Sequence, residues 1–194
     1  MNFTVEEGEI VGLIAPSGYG KSTLAKILSG YMKPEQGEVV LEEKGPDGND
    51  IPVQTGKGYN PVQLILQHPE KAVNPKWKMS RVLSETGSPP VEMLKAAGIK
   101  SEWLNRWPAE LSGGELQRFC VVRALNQRTR ILIADEMTTM LDAITQAQIW
   151  QLVLGYAKEH GIGVVVISHE KELVSRICTR VVDLTKLVTT QPNG

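Results

Sequence analysis

The sequence predicts an α/β fold, with a parallel sheet flanked by helices on both faces. Three observations carry this. Residues 9–15, 62–67, 130–135 and 162–169 are short apolar runs without polar alternation. Strands of that kind are buried on both faces, which is the habit of parallel sheets. Stretches of helical period separate them, as crossover connections require. A glycine-rich loop joins the first strand to the first helix, a junction where such folds bind ligands.

The elements follow in order. "EIVGLIA" (9–15) reads as a buried strand and "KSTLAKILSGY" (21–31) as a helix. "GEVVLEE" (37–43) and "VQLILQ" (62–67) read as strands, with a Gly/Asp/Asn-rich turn region, "KGPDGND", between them. These two strands are expected to form a small antiparallel β patch beside the first strand. From residue 78 to 126 every segment reads as helix, with Pro90 near a helix start. A helical subdomain, about 70–126, is therefore expected as an insertion in a single domain spanning 1–194. "RILIAD" (130–135) is a strand. "DAITQAQIWQLVLGYAKEHG" (142–161) is a long helix, with Asp142 as N-cap and Gly161 past its end. "IGVVVISH" (162–169), "EKELVSRI" and "RVVDLT" add a strand, a helix and a last strand. The tail "TTQPNG" reads as loose.

Bulk properties exclude several classes. The 194 residues carry a formal net charge of -1, so no electrostatic footprint for nucleic acid is present. Hydrophobic residues make up 41%, which is ordinary for a globular core and argues against disorder. No apolar run approaches the ~20 residues of a membrane span, so no direct membrane insertion is expected. The two cysteines, Cys120 and Cys178, sit in apolar helical stretches and read as buried free thiols.

Three stretches carry chemistry. In "APSGYGKST" (Ala15, Pro16, Ser17, Gly18, Tyr19, Gly20, Lys21, Ser22, Thr23), the two glycines let backbone N–H groups turn inward as an anion nest. Lys21 supplies a point charge for β- and γ-phosphates. The Ser22 hydroxyl suits Mg²⁺, and the following helix adds its dipole. This is the phosphate loop of a P-loop NTPase core, with Ala15 where the strict pattern has glycine. In "ILIADE", Asp135 and Glu136 stand at the carboxyl end of a buried strand. An aspartate there serves Mg²⁺, and the adjacent glutamate is placed to polarise the attacking water.

"ELSGGELQR" (110–118) is the third. Ser112 and Glu115 make a capping box for a helix start. Gly113 and Gly114 sit in the same first turn, although each costs roughly 1 kcal/mol relative to alanine. One reading is an ordinary capped helix. The other is that an anion, most naturally a phosphate, approaches this end closely.

In this order the motifs resemble those of the nucleotide-binding domain of ATP-binding cassette (ABC) proteins, over nearly the whole chain. The loop at 15–23 resembles Walker A, Gln67 the Q-loop glutamine, and "LSGGE" (111–115) the family signature. "ILIADE" resembles Walker B with its catalytic glutamate. "TTMLDA" (138–143) resembles the D-loop, with Asp142 in the aspartate position, and His169 matches the switch histidine. The resemblance implies a head-to-tail dimer of two such domains. Each ATP would lie between Walker A of one domain and Ser112, Gly113, Gly114 and Glu115 of the other. It implies ATP and Mg²⁺ as ligands, with Ser22, Asp135 and Gln67 serving the metal. Glu136, His169, Gln67 and Lys21 would form the catalytic set. His68 and His160 match no such slot.

The region "LILQHPEKAVNPKWKM" (64–79) and "RWPAELSGGELQR" (106–118) resemble the ATPases of peptide and nickel importers. That implies transmembrane transporter subunits as partners and a peripheral place on the cytoplasmic face of the cell membrane. "LSGGELQRF" also occurs in soluble ABC ATPases that act on ribosomes, so a non-transport role stands as the alternative. Met137 and Met140 stand where the family has Pro and a small residue. The family's earlier strand, with an aromatic that stacks on adenine, has no expected counterpart; Phe3 and Tyr31 are the conceivable substitutes. The large C-terminal extension of many peptide-importer ATPases has no expected counterpart either.

Overall fold

A computed structural model describes residues 2–44, 49–53 and 58–187. Its centre is a five-stranded sheet of β1 (Ile10–Ile14), β4 (Val62–Ile65), β5 (Ile131–Asp135), β6 (Gly163–Ile167) and β7 (Arg180–Asp183). The order is β4-β5-β6-β1-β7, and every neighbouring pair is parallel. Parallel pairing demands crossovers, and helices supply them. These are α1 (Lys21–Leu28), α2 (Met79–Ser84), α3 (Val91–Ala96), α4 (Gly113–Ala124), α5 (Ala143–His160) and α6 (Lys171–Ile177), with a final turn α7 (Leu184–Leu187).

Successive side chains of a strand point to opposite faces, and the core divides accordingly. Leu132, Ala134, Val164 and Val166 face a large cluster with Phe119 of α4, Ile149 and Val153 of α5 and Val174 of α6. Val11, Leu13, Ile133, Val165 and Ile167 face the other side, against Ala25 of α1 and Leu184 of α7. At β1 the face toward α6 is crowded. A Cβ on Gly12 would lie 2.5 Å from Val174 Cγ1, so only glycine lets α6 pack this close. Every regular element between β4 and β5 is helical, including 3-10 turns at Pro69–Lys71, Ser101–Asn105 and Pro108–Glu110. Met79, Val82, Met93 and Trp103 from that block join the larger core without a break.

Four expectations need correction. The strand at 62–67 does not join an antiparallel patch; it forms the edge of the parallel sheet beside β5. Its Val62 and Ile65 are buried in different clusters, which commits both faces. The antiparallel pair is instead β2 (Glu42–Lys44) with β3 (Asp50–Pro52), extended by the Val53 N–H donating to Leu41 C=O at 2.7 Å. Residues 37–41 are not a strand. Residues 45–48 of the turn region and the tail 189–194 lie outside the described residues. The segment "SEWLNRW" is a 3-10 turn rather than an α-helix, and α1 stops at Leu28, where Gly30 takes a φ of 75°.

Candidate active site

Four of the five strands lead into candidate site residues at their carboxyl ends. β1 leads into the loop 15–20, β4 into Gln67, β5 into Asp135 and Glu136, and β6 into His169. Parallel register is what gathers these strand ends on one edge.

The loop after β1 has the geometry of an anion nest. Gly18 and Gly20 have φ of 78° and 89°, and a Cβ on either would meet nothing within 4 Å. Their backbone is therefore open to a ligand. Gly20 occupies the N-cap position of α1 without a side-chain cap, which leaves the helix N–H groups available. Among the described residues Glu136 is the only non-glycine with positive φ, so Ala15 sits in ordinary backbone and its methyl is tolerated. Lys21 arches back over the loop, donating from Nζ to the carbonyls of Ala15 at 2.8 Å and Pro16 at 3.1 Å. Pro16, Ser17, Tyr19, Ser22 and Thr23 are exposed around this cradle.

Ser22, next along α1, hydrogen-bonds the carboxylate of Asp135. Burial raises the pKa of that carboxyl group, Glu136 beside it adds to the rise, and Ser22, Lys21 and Lys26 oppose it. The donor set of hydroxyl, carboxylate and amide oxygens is all oxygen, which fits a hard divalent cation such as Mg²⁺. Glu136 follows with a φ of 49°. Its N–H donates to Ile167 C=O at 2.9 Å, and its carbonyl accepts from the Thr139 N–H and hydroxyl at 3.3 and 3.1 Å. That clamp holds the carboxylate off the strand, where two partners meet it. Gln67 donates from Nε2 to Oε2 at 3.0 Å, and His169 Nδ1 lies 3.4 Å from Oε1. The imidazole is 67% exposed, so it faces the open side of the site.

Ser112, Gly113, Gly114 and Glu115 form a separate patch. The capping box is complete: Ser112 Oγ accepts from the Glu115 N–H at 3.2 Å, and Glu115 Oε2 accepts from the Ser112 N–H at 2.8 Å. Asp142 caps α5, accepting from the N–H groups of Ile144 and Thr145 at 3.1 and 3.0 Å. Among the described residues no hydrogen bond or ion pair joins residues 112–115 or Asp142 to the loop at 15–23. The glycines have a partner within the chain. A Cβ on Gly113 would lie 3.2 Å from Met140 Sδ, and one on Gly114 would lie 3.1 Å from Leu141 Cδ2. The segment 140–141 therefore lies flat against the helix start. Met140 remains half exposed there, whereas Met137 is buried in the core.

Several residues near the site carried no motif. Gln146 donates to Thr138 Oγ1 at 3.1 Å and to Glu170 Oε1 at 3.3 Å, tying the segment after Glu136 to the segment after His169. Arg118 holds Ala97 C=O at 2.8 Å and Thr145 Oγ1 at 2.9 Å, which fixes α4 to α3 and α5. The one usable signal was polar residues set among buried apolar ones on α4. Of the two conceivable adenine partners, Phe3 packs on the core beside β1, and Tyr31 is 71% exposed. His68 pairs with Glu70, and His160 stacks on Tyr156.

A phosphate cradle beside a carboxylate pair at one sheet edge defines a nucleotide-hydrolysing P-loop ATPase. Comparison with known proteins narrows the class. The family model described as ABC transporter matches residues 1–139, and the chain belongs to that family. The nickel import ATP-binding protein NikE of Rhodospirillum rubrum is 32% identical over 93% of this chain and 69% of its own length. The methionine import ATP-binding protein MetN of Caulobacter vibrioides is also 32% identical over 93% of this chain, which spans 57% of that relative. Among solved structures, an ATP-binding cassette dimer in a post-hydrolysis state bound to ADP and Pi superposes with a TM-score of 0.72. It is 27% identical and covers 94% of this chain and 83% of its own. The chain is thus an ABC-type ATPase.

Proposed function

We propose that the chain is the ATP-hydrolysing subunit of a membrane importer for nickel, a peptide or a related solute, and that it works as a head-to-tail pair. The observation that carries the catalytic reading is the convergence of Gln67 and His169 on the two oxygens of Glu136, beside Ser22 and Asp135. Among the described residues no helix is long and apolar enough to cross a membrane. The membrane part of the machine is therefore assigned to partner subunits, with this chain peripheral on the cytoplasmic face. Import ATP-binding proteins among the relatives support transport over the ribosome-linked alternative. We read 1–194 as one nucleotide-binding domain, with the helical block at about 70–126 as its subdomain.

The roles we propose are these. The nest at 15–20 and the uncapped start of α1 bind phosphate oxygens. Lys21 leaves the carbonyls of Ala15 and Pro16 for the β- and γ-phosphates, a short swing for a flexible ammonium. Ser22, Asp135 and Gln67 would hold Mg²⁺, which when bound neutralises phosphate charge. Glu136 accepts the proton of the attacking water while Gln67 orients it. His169 hydrogen-bonds the γ-phosphate, and the phosphorus–oxygen bond to ADP breaks. Ser112, Gly113, Gly114 and Glu115 receive the γ-phosphate of the partner's ATP, with Asp142 close to the same interface. Phosphoryl transfer asks mainly for position and electrostatics, which is what these groups provide.

Steady-state hydrolysis and fluorescent-nucleotide binding test this together. Glu136→Gln is expected to lower kcat by ~10²–10⁴-fold, the usual range for losing a general base, while nucleotide affinity stays within a few-fold. Equal turnover in the variant and the parent chain would refute the assignment of Glu136.

A further inference from the structure

Gln117 lies in the second turn of α4, between Leu116 and Phe119, and is 1% exposed. Its Nε2 donates to the carbonyl of Leu66 at 3.2 Å. Its Oε1 is buried and accepts no hydrogen bond. A glutamine at such a position has a specific task, because a buried amide with half its capacity unused is poorer there than an apolar side chain. The task is visible in what it grips. Leu66 is the residue directly before Gln67, and Gln67 holds Glu136 at 3.0 Å. One amide therefore connects the helix that begins at Ser112–Gly114 to the backbone that aims Gln67.

We propose that Gln117 is a positioning residue that links engagement of the Ser112–Gly114 helix start to the placement of Gln67 against Glu136 within the same chain. This rests on the roles given above to those two segments. The capping box ties the first turn of α4 to the residues that precede it, so a shift of Ser112 is carried into the helix. A displacement of α4 on meeting a phosphate is delivered to Leu66 through Gln117. The open Oε1 leaves the amide free to gain a donor in a second arrangement, so the junction is built to have two states rather than one. Cys120, one turn further along, reaches the same segment only weakly, with Sγ 3.8 Å from Pro69 C=O.

The test is Gln117→Met, which conserves volume and removes both amide functions. Steady-state hydrolysis by the full chain is expected to show kcat lowered about tenfold, with KM for Mg-ATP within about twofold. The melting temperature should be unchanged or raised, because an unsatisfied buried oxygen has gone. In a Gln67→Ala background the same substitution should lower kcat no further. Cys120→Ala, which loosens the same contact without touching Leu66, should leave kcat within about twofold. Gln117→Leu reads the same quantities if the methionine variant does not fold. An unchanged kcat in Gln117→Met would overturn the proposal. So would losses that multiply in the double variant, or an equal loss in Cys120→Ala. The unsubstituted chain is assayed alongside. Absence of turnover there would fault the ATPase reading, whereas a loss confined to the variants speaks to Gln117.

Discussion

Glu136 holds a left-handed backbone at φ 49°, a conformation that costs a non-glycine residue roughly 1–2 kcal/mol. The clamp from Ile167 and Thr139 holds it there, and the gain is a carboxylate turned toward Gln67 and His169. Strain of this kind gathers at functional sites. Glu136→Gly should therefore unfold later than Glu136→Ala, by about 1 kcal/mol in a denaturant titration. Both variants lose the carboxylate, so the difference reads the backbone alone. The place of the acid at a strand end was legible, and it is the phosphate loop, not the carboxylate pair alone, that points to a role in the site. The dihedral was not legible, because it arises from how β5 meets the turn. The cysteines give a second residue-scale expectation. Cys120 is buried as expected, whereas Cys178 is only partly buried; desolvation still pushes both thiols up from 9.0 to about 11. At neutral pH they are protonated and poor nucleophiles, so native protein should resist iodoacetamide and denatured protein should react. The unfolded chain sheds these protons first, so stability should fall as pH rises from about 9 toward 11.

At the scale of elements, α4 joins two requirements in its first turn. The capping box keeps the helix start fixed, and the glycines let the segment 140–141 lie against it. Ser112→Ala should cost about 1 kcal/mol of stability by removing the cap. The two glycines should then part company. An added methyl at Gly113 meets the half-exposed end of Met140, which can move aside, so Gly113→Ala should melt near or above the parent temperature. At Gly114 it meets Leu141 at 3.1 Å, with the Met140 carbonyl behind at 3.6 Å, so Gly114→Ala should melt lower. Differential scanning calorimetry decides this. The sequence pointed to a close approach at this turn but not to this contact, which spans 27 residues and depends on how the segment after β5 meets α4. Gln146 and Arg118 escaped for the same reason: their partners lie on other elements. The antiparallel patch was misassigned at both strands: only the end of 37–43 pairs, with 50–52, and 62–67 joins the parallel sheet, because an apolar run fits either kind of pairing until its neighbours are known.

At the scale of the whole molecule, one parallel sheet gathers a phosphate cradle and a carboxylate pair at a single edge, and among the described residues no hydrogen bond or ion pair joins the capped turn at Ser112–Gly114 to that cradle. The order of motifs along the chain made the class legible. On the proposed reading the two turns are half-sites that only a second copy would bring together. Two copies head to tail would complete both sites at once. The direct test is the light-scattering mass of the Glu136→Gln chain with and without Mg-ATP, hydrolysis being blocked so that a clamped pair persists. A mass that doubles only with Mg-ATP is expected, reverting to the monomer when Ser112 and Gly113 are also replaced. A monomer that binds Mg-ATP yet never pairs would contradict the account.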